Sequence, residues 1–139
     1  MNPDVPLTLG VHHVGLTVHR LEDSVRFFTG LLGWQEVGGN PRYPAVFVSD
    51  GRVMVTLWAA RAPGPAAAFD RERHVGLHHL ALAVDSRERL EELHRRVEAA
   101  PDVTLEFAPE PLRDTGMVHM MCLEPSGIRI EFIWPGHRT

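Results

Sequence analysis

Two stretches of the chain alternate bulky aliphatic residues with small or polar ones: HHVGLTV at 12–18 and HHLALAV at 78–84. A period of two belongs to a β-strand, whose successive side chains point to opposite faces. In the first stretch Val14, Leu16 and Val18 share one face, while His13, Gly15 and Thr17 share the other. In the second, Leu80, Leu82 and Val84 oppose His79, Ala81 and Ala83. A bulky aliphatic face is what a helix packs on. The small-residue face leaves open, concave space, with a histidine at its mouth.

The pattern changes to a helical period after each strand. RLEDSVRFFTGLLGW places Leu21, Val25, Phe28 and Leu32 at helical spacing, has Glu22 and Asp23 in its first turn and stops near Gly33. DSRERLEELHRRVEAAPD begins with Asp85 as a candidate N-cap and Glu88 three residues on, sets Leu90, Leu93 and Val97 on one face, and ends before Pro101. Short β-like runs follow: Ala45–Ser49 and Val53–Trp58 in the first half, Val103–Phe107, Val118–Leu123 and Ile128–Trp134 in the second. The closing runs share their punctuation, SDGRVMVTLW beside PSGIRIEFIW. Each half therefore reads β-α-β-β-β, a duplicated unit whose opening histidines lie 66 positions apart. The expectation is one α+β domain over 1–139, with module one at about 8–60, a Pro/Gly-bearing linker at about 61–74 and module two at about 75–135. The two modules should form a curled mixed sheet of about eight strands, with the helices outside.

The last strand changes the picture from architecture to chemistry. In IRIEFIW, Ile128, Ile130, Phe132 and Trp134 share a face, and Glu131 stands on the other with Arg129 and Ile133. A mid-strand carboxylate among large apolar residues is costly to bury unless it is paired or binds a metal. His13, His79 and Glu131 together supply two neutral imidazoles and one charged oxygen, a donor set for a divalent transition metal with positions left open for water or substrate. The competing reading has both histidines on a half-exposed face and Glu131 paired with an arginine such as Arg129.

Composition narrows the partners. The 139 residues are 44% hydrophobic and 23% charged, with 14 basic against 18 acidic side chains and a net charge of −4, and no basic run marks a nucleic-acid surface. A small-molecule substrate is the expected partner. One cysteine, Cys122, excludes an internal disulfide and fits a reducing compartment. The longest uncharged apolar run, Val53–Ala60, is too short to cross a membrane, and the polar start MNPDVPLTLG does not resemble a signal peptide. A cytoplasmic location is expected.

The pattern of HHVGLTVHRLEDSVRFFTGLLGW, HHLALAV and EPSGIRIEFIW resembles the vicinal oxygen chelate superfamily, which includes glyoxalase I, bleomycin-resistance proteins, fosfomycin-resistance thiol transferases and extradiol dioxygenases. The resemblance spans nearly the whole chain. It implies paired modules curling around a metal, with the family's ligands falling on His13, His79 and Glu131, and a homodimer, since exposed sheet edges invite partners. A fourth family position, a Glu in glyoxalase I, falls on RVMVTLW. Matching Gly51 with Gly127 and Trp58 with Trp134 puts Val55 there; matching the bulky faces puts Thr56 there, the preferred alignment. In either register no carboxylate is present, which argues against glyoxalase I activity and leaves a triad suited to Fe(II) or Mn(II), with Ni, Zn and Co also open.

The resulting expectation is a metal-dependent enzyme acting on a small substrate with adjacent oxygens, by ring cleavage or by lyase or isomerase chemistry. The alternative is a metal-free, bleomycin-resistance-type protein that sequesters a small molecule. His119 in MVHMMCL is a candidate proton donor or acceptor. Tyr43 in GGNPRYP is a candidate pocket cover or turn anchor. His12 and His78 read as packing or edge residues, Arg113 as a solvated loop arginine or a contact for an anionic group, and Trp34, Trp58 and Trp134 as core and rim aromatics.

Overall fold

The computed structural model describes residues 4–61 and 65–137; residues 62–64 of the expected linker lie outside the described residues. Strands β1 (His13–Val18), β2 (Gln35–Asn40), β3 (Ala45–Ser49) and β4 (Met54–Ala59) form a four-stranded sheet in the order β1-β4-β3-β2. Strands β5 (Leu80–Ala83), β6 (Thr104–Pro111), β7 (Val118–Leu123) and β8 (Arg129–Trp134) form a second, ordered β5-β8-β7-β6. In each sheet the first strand runs parallel to the last, and the remaining pairs are antiparallel. The α+β architecture of duplicated β-α-β-β-β units is as the sequence predicts, with the eight strands divided between two hydrogen-bonded mixed sheets of four.

Strand β2 is the element that hydrophobic patterning does not reveal. Its residues QEVGGN are almost all exposed, so no alternation marks it. Its glycines serve close approach: a Cβ on Gly39 would lie 2.7 Å from the carbonyl oxygen of Ala45 on β3.

The first helix, α1 (Leu21–Arg26), continues into a π-helical turn, Phe27–Leu31. Thr29 Oγ1 takes the carbonyl of Val25 at 2.9 Å, a back-bond that competes with the regular helical ladder. The wider turn puts both Phe27 and Phe28 in the core, and Gly33, at φ 75°, ends it. The second helix, α2 (Arg87–Ala99), is capped by Ser86 rather than Asp85: Ser86 Oγ accepts from the Arg89 amide at 3.1 Å. A hydroxyl one residue later takes the capping role that the carboxylate was expected to fill. Among the described residues, no helix is long and apolar enough to cross a membrane.

The bulky strand faces and the two helices share one core. Leu16, Val18, Val48, Val55 and Leu57 of the first sheet cluster with Phe28, and Met120, Cys122, Ile130 and Phe132 of the second with Leu90 and Val97, all in a single apolar set. The Cys122 thiol is free, and its pKa is pushed up to about 12 by burial and then by Glu124 and Glu106.

A polar clasp joins the modules across this core. Glu124, at the β7–β8 turn, is 2% exposed and accepts from Ser24 Oγ of α1 at 2.6 Å, Ser126 N at 2.7 Å and Ile128 N at 3.1 Å. Nearby, Arg96 of α2 donates to the carbonyl of Leu31 at 2.8 Å. Because the helices cover the bulky faces, the faces carrying His13, Gly15 and Thr17 and carrying Ala81 and Ala83 remain open to solvent in the single chain.

Candidate metal centre

Strand pairing fixes which residues of the two modules correspond. Gly15 of β1 lies opposite Thr56 of β4, and Ala81 of β5, 66 positions after Gly15, lies opposite Glu131 of β8. Thr56 therefore occupies the place in module one that Glu131 holds in module two, and Val55 points into the core, fully buried. No carboxylate stands at this fourth position. Thr56 Oγ1 instead accepts a hydrogen bond from Trp58 Nε1 at 2.9 Å.

The second sheet gathers three of the expected residues. His79 Nε2 lies 3.7 Å from Glu131 Oε1, and the other carboxylate oxygen, Oε2, lies 2.7 Å from His119 Nδ1. A carboxylate oxygen accepts, so His119 Nδ1 carries the proton of that bond. The His119 ring packs against Phe107, with centroids 4.9 Å apart, and its Nε2 is 4.0 Å from Glu110 Oε1. The Glu131 and His119 side chains are each only 12% exposed, against 36% for His79. The arrangement holds one carboxylate oxygen with the partly buried His119 and turns the other toward the more accessible His79.

Glu131 does not pair with Arg129. That arginine grips Glu106 through two bonds, Nε to Oε1 at 3.1 Å and the terminal NH2 to Oε2 at 2.7 Å. The bidentate grip holds the Glu106 carboxyl below its usual pKa. Arg129 also reaches His78, whose Nδ1 is 2.8 Å from His79 Nδ1. Partial desolvation and the Arg129 guanidinium together keep the His78 pKa below the usual histidine value. His78 is thus an exposed residue just ahead of the edge strand β5 that partners His79, a contact that strand parity alone does not reveal.

His13 stands on the first sheet, exposed, with Nδ1 2.9 Å from His12 Nδ1. Beside it, the open face of module one is aromatic: Trp58 lies 5.2 Å from Tyr43 and 5.8 Å from Phe47 between centroids, and Arg61 sits 3.8 Å over the Tyr43 ring. Tyr43 belongs to an aromatic cluster on module one. Phe47 and Arg61 of this cluster escape the sequence reading, because a single aromatic in a β-run reads as core. Arg113 is exposed in a turn at φ 48°.

Two donors bound to one ion at about 2.0–2.2 Å each lie roughly 3–4 Å apart, so the 3.7 Å separation of His79 Nε2 and Glu131 Oε1 suits two ligands of a divalent metal. Among the described residues, however, no three His, Cys, Asp or Glu side chains of one chain are grouped to hold an ion. The single chain presents two candidate ligands in module two, and His13 on module one.

A family model described as the glyoxalase/bleomycin resistance protein/dioxygenase superfamily matches residues 10–132. A glyoxylase/bleomycin resistance protein/dioxygenase domain from Frankia sp. EAN1pec is 26% identical, with a TM-score of 0.79 over 94% of this chain and 99% of that one. Two more distant structures share the fold. A lactoylglutathione lyase from Agrobacterium tumefaciens is 21% identical, with a TM-score of 0.69 over 93% of this chain and 96% of that one. The fosfomycin resistance protein FosX from Listeria monocytogenes is 15% identical, with a TM-score of 0.70 over 92% of this chain and 94% of that one. No curated protein matches the chain in sequence. With its duplicated modules, its open sheet faces and a family match over most of its length, the chain belongs to the glyoxalase/bleomycin resistance protein/dioxygenase superfamily.

Proposed function

We propose that the protein is a metal-dependent enzyme that grips adjacent oxygens of a small substrate, with the ion held by His79 and Glu131 of one copy and His13 of a second copy in a homodimer. The observation that carries this reading is the convergence of His79 Nε2 and Glu131 Oε1, with Glu131 Oε2 tied back to His119. The edge positions of β1 and β5 support the dimer. Each histidine strand is preceded by exposed apolar residues at matching places, Leu9 and Val11 before His13, Val75 and Leu77 before His79. Exposed edges flanked by apolar residues are surfaces a second chain covers.

When bound, a divalent ion supplies Lewis acidity to oxygens of the substrate. The chain's own residues do the rest. Glu131 keeps one oxygen directed at the site because His119 Nδ1–H holds the other. His119 Nε2, facing Glu110, is the atom placed to take up or return a proton as the carboxylate network adjusts. Trp58, Phe47 and Tyr43 offer flat apolar surface, and Arg61 a cation, to a planar substrate bearing negative charge. Thr56 in the fourth position removes the acid–base carboxylate that isomerisation of a glutathione adduct would use, so ring cleavage or addition to a metal-bound carbonyl compound fits better.

Metal content tests the proposal. Protein purified without a chelating resin should hold about one divalent ion per chain, and His13→Ala, His79→Ala and Glu131→Ala should each lose it while remaining folded. Wild-type content in all three variants would contradict it. The second reading, a metal-free sequestering protein, is favoured by the aromatic face of module one, and wild-type protein that binds planar ligands but no metal would establish it.

A further inference from the structure

We propose that His78 and Arg129 are positioning residues that fix the ring tautomer of His79, leaving Nε2 as its free nitrogen; the purpose of this device rests on the metal reading above. A guanidinium has N–H donors and no acceptor. Arg129 places a terminal nitrogen 3.1 Å from His78 Nδ1 and 3.3 Å from the His78 carbonyl oxygen. His78 Nδ1 therefore accepts, and carries its lone pair there. The same atom lies 2.8 Å from His79 Nδ1. A contact between two ring nitrogens at that distance needs one proton; His78 Nδ1 carries none, so the proton is on His79 Nδ1, and its N–H shares the single His78 lone pair with Arg129 in a three-centre bond. Neutral His79 then has its lone pair on Nε2, the atom facing Glu131 Oε1 at 3.7 Å.

Arg129 is itself held by the two bonds from Glu106 on β6, so the placement of one proton traces through three residues to a neighbouring pair of strands. Module one provides an internal comparison. His12 and His13 make the same Nδ1–Nδ1 contact at 2.9 Å, but the residue opposite His13 on β4, the counterpart of Arg129, is Met54. An apolar side chain does not decide which ring of that pair carries the proton. The tautomer is thus set in advance at His79 and not at His13.

Long-range proton–nitrogen correlation spectra of 15N-labelled, metal-free protein at about pH 8.5, above the histidine range, read each ring directly. His79 should show a protonated Nδ1 and an unprotonated Nε2. In His78→Phe and Arg129→Met the His79 ring should move toward the mixed tautomers of free imidazole. His78→Gln, whose amide oxygen accepts a hydrogen bond, should restore the wild-type spectrum. Zinc affinity, measured by competition with a chromophoric chelator, should fall about 10- to 100-fold in the first two variants. Because His78 is exposed, thermal unfolding of His78→Phe should not change. Protonated Nε2 in the wild-type His79, or an unchanged tautomer in both variants, would overturn the proposal even if zinc binds normally. A wild-type protein with the expected tautomer that binds no zinc would instead overturn the metal reading, and with it the role given to these residues.

Discussion

Thr56 is the residue on which the choice among chemistries turns. It occupies the position equivalent to Glu131, is 3% exposed, and spends its hydroxyl on Trp58 Nε1. Metal-supplied wild-type protein should therefore show no meaningful isomerisation of the methylglyoxal–glutathione adduct, and robust turnover would refute the assignment. Glu124 is the opposite case, a buried carboxylate with no place in the site. Burial raises its pKa against the pull of its hydrogen bonds, chiefly that from Ser24. A carboxyl whose folded pKa is raised binds more protons folded than unfolded, so its contribution to stability declines as pH rises from the ordinary 4.5 through the raised value. Glu124→Gln should remove that decline, measured as the difference in unfolding free energy between wild type and variant across that window. An unchanged slope would contradict it. Ser24→Ala leaves a buried carboxylate short of a donor and should cost about 1–3 kcal/mol in denaturant unfolding.

Strands with one buried face were legible from the sequence, because alternation records burial: β1, β4, β7 and β8 lie within a residue or so of where the pattern puts them. Helix α2 was equally legible, with Leu90, Leu93 and Val97 all buried. What escaped was whatever burial does not write into the pattern. Strand β2 is solvated, and the π-helical turn depends on a hydroxyl back-bond and on where Phe27 and Phe28 find room. The cap of α2 shifted by one residue because Asp85 and Ser86 both suit the role and geometry chooses between them. Ser86→Ala should destabilise the protein by about 1 kcal/mol, and Asp85→Ala by much less, in chemical denaturation. The placement of the candidate site residues was legible in part. Parity put His79 and Glu131 on one face, whereas the His78–Arg129–Glu106 chain joins residues distant in sequence that no periodicity links.

At the scale of the whole molecule, the modules divide the labour. Module two gathers the titratable groups, His79, His119 and Glu131, and module one presents aromatic surface and the remaining histidine. Trp58→Ala should therefore weaken binding of a planar ligand by about 1–3 kcal/mol in calorimetry while leaving metal content unchanged. The core explains why the two kinds of surface do not meet within one chain: the helices and the Ser24–Glu124 clasp join the modules through their bulky faces, and both opposite faces are exposed. In the proposed homodimer a second copy brings His13 to the His79–Glu131 pair. Mixing His13→Ala protein with Glu131→Ala protein under conditions that exchange subunits, and then measuring bound metal, tests this most directly. Each variant alone should be metal-poor. Half of the dimers in an equal mixture are hybrids, and each hybrid rebuilds one intact site, so about a quarter of the wild-type metal content should return. No recovery in a mixture shown to contain hybrid dimers would contradict a site shared between chains.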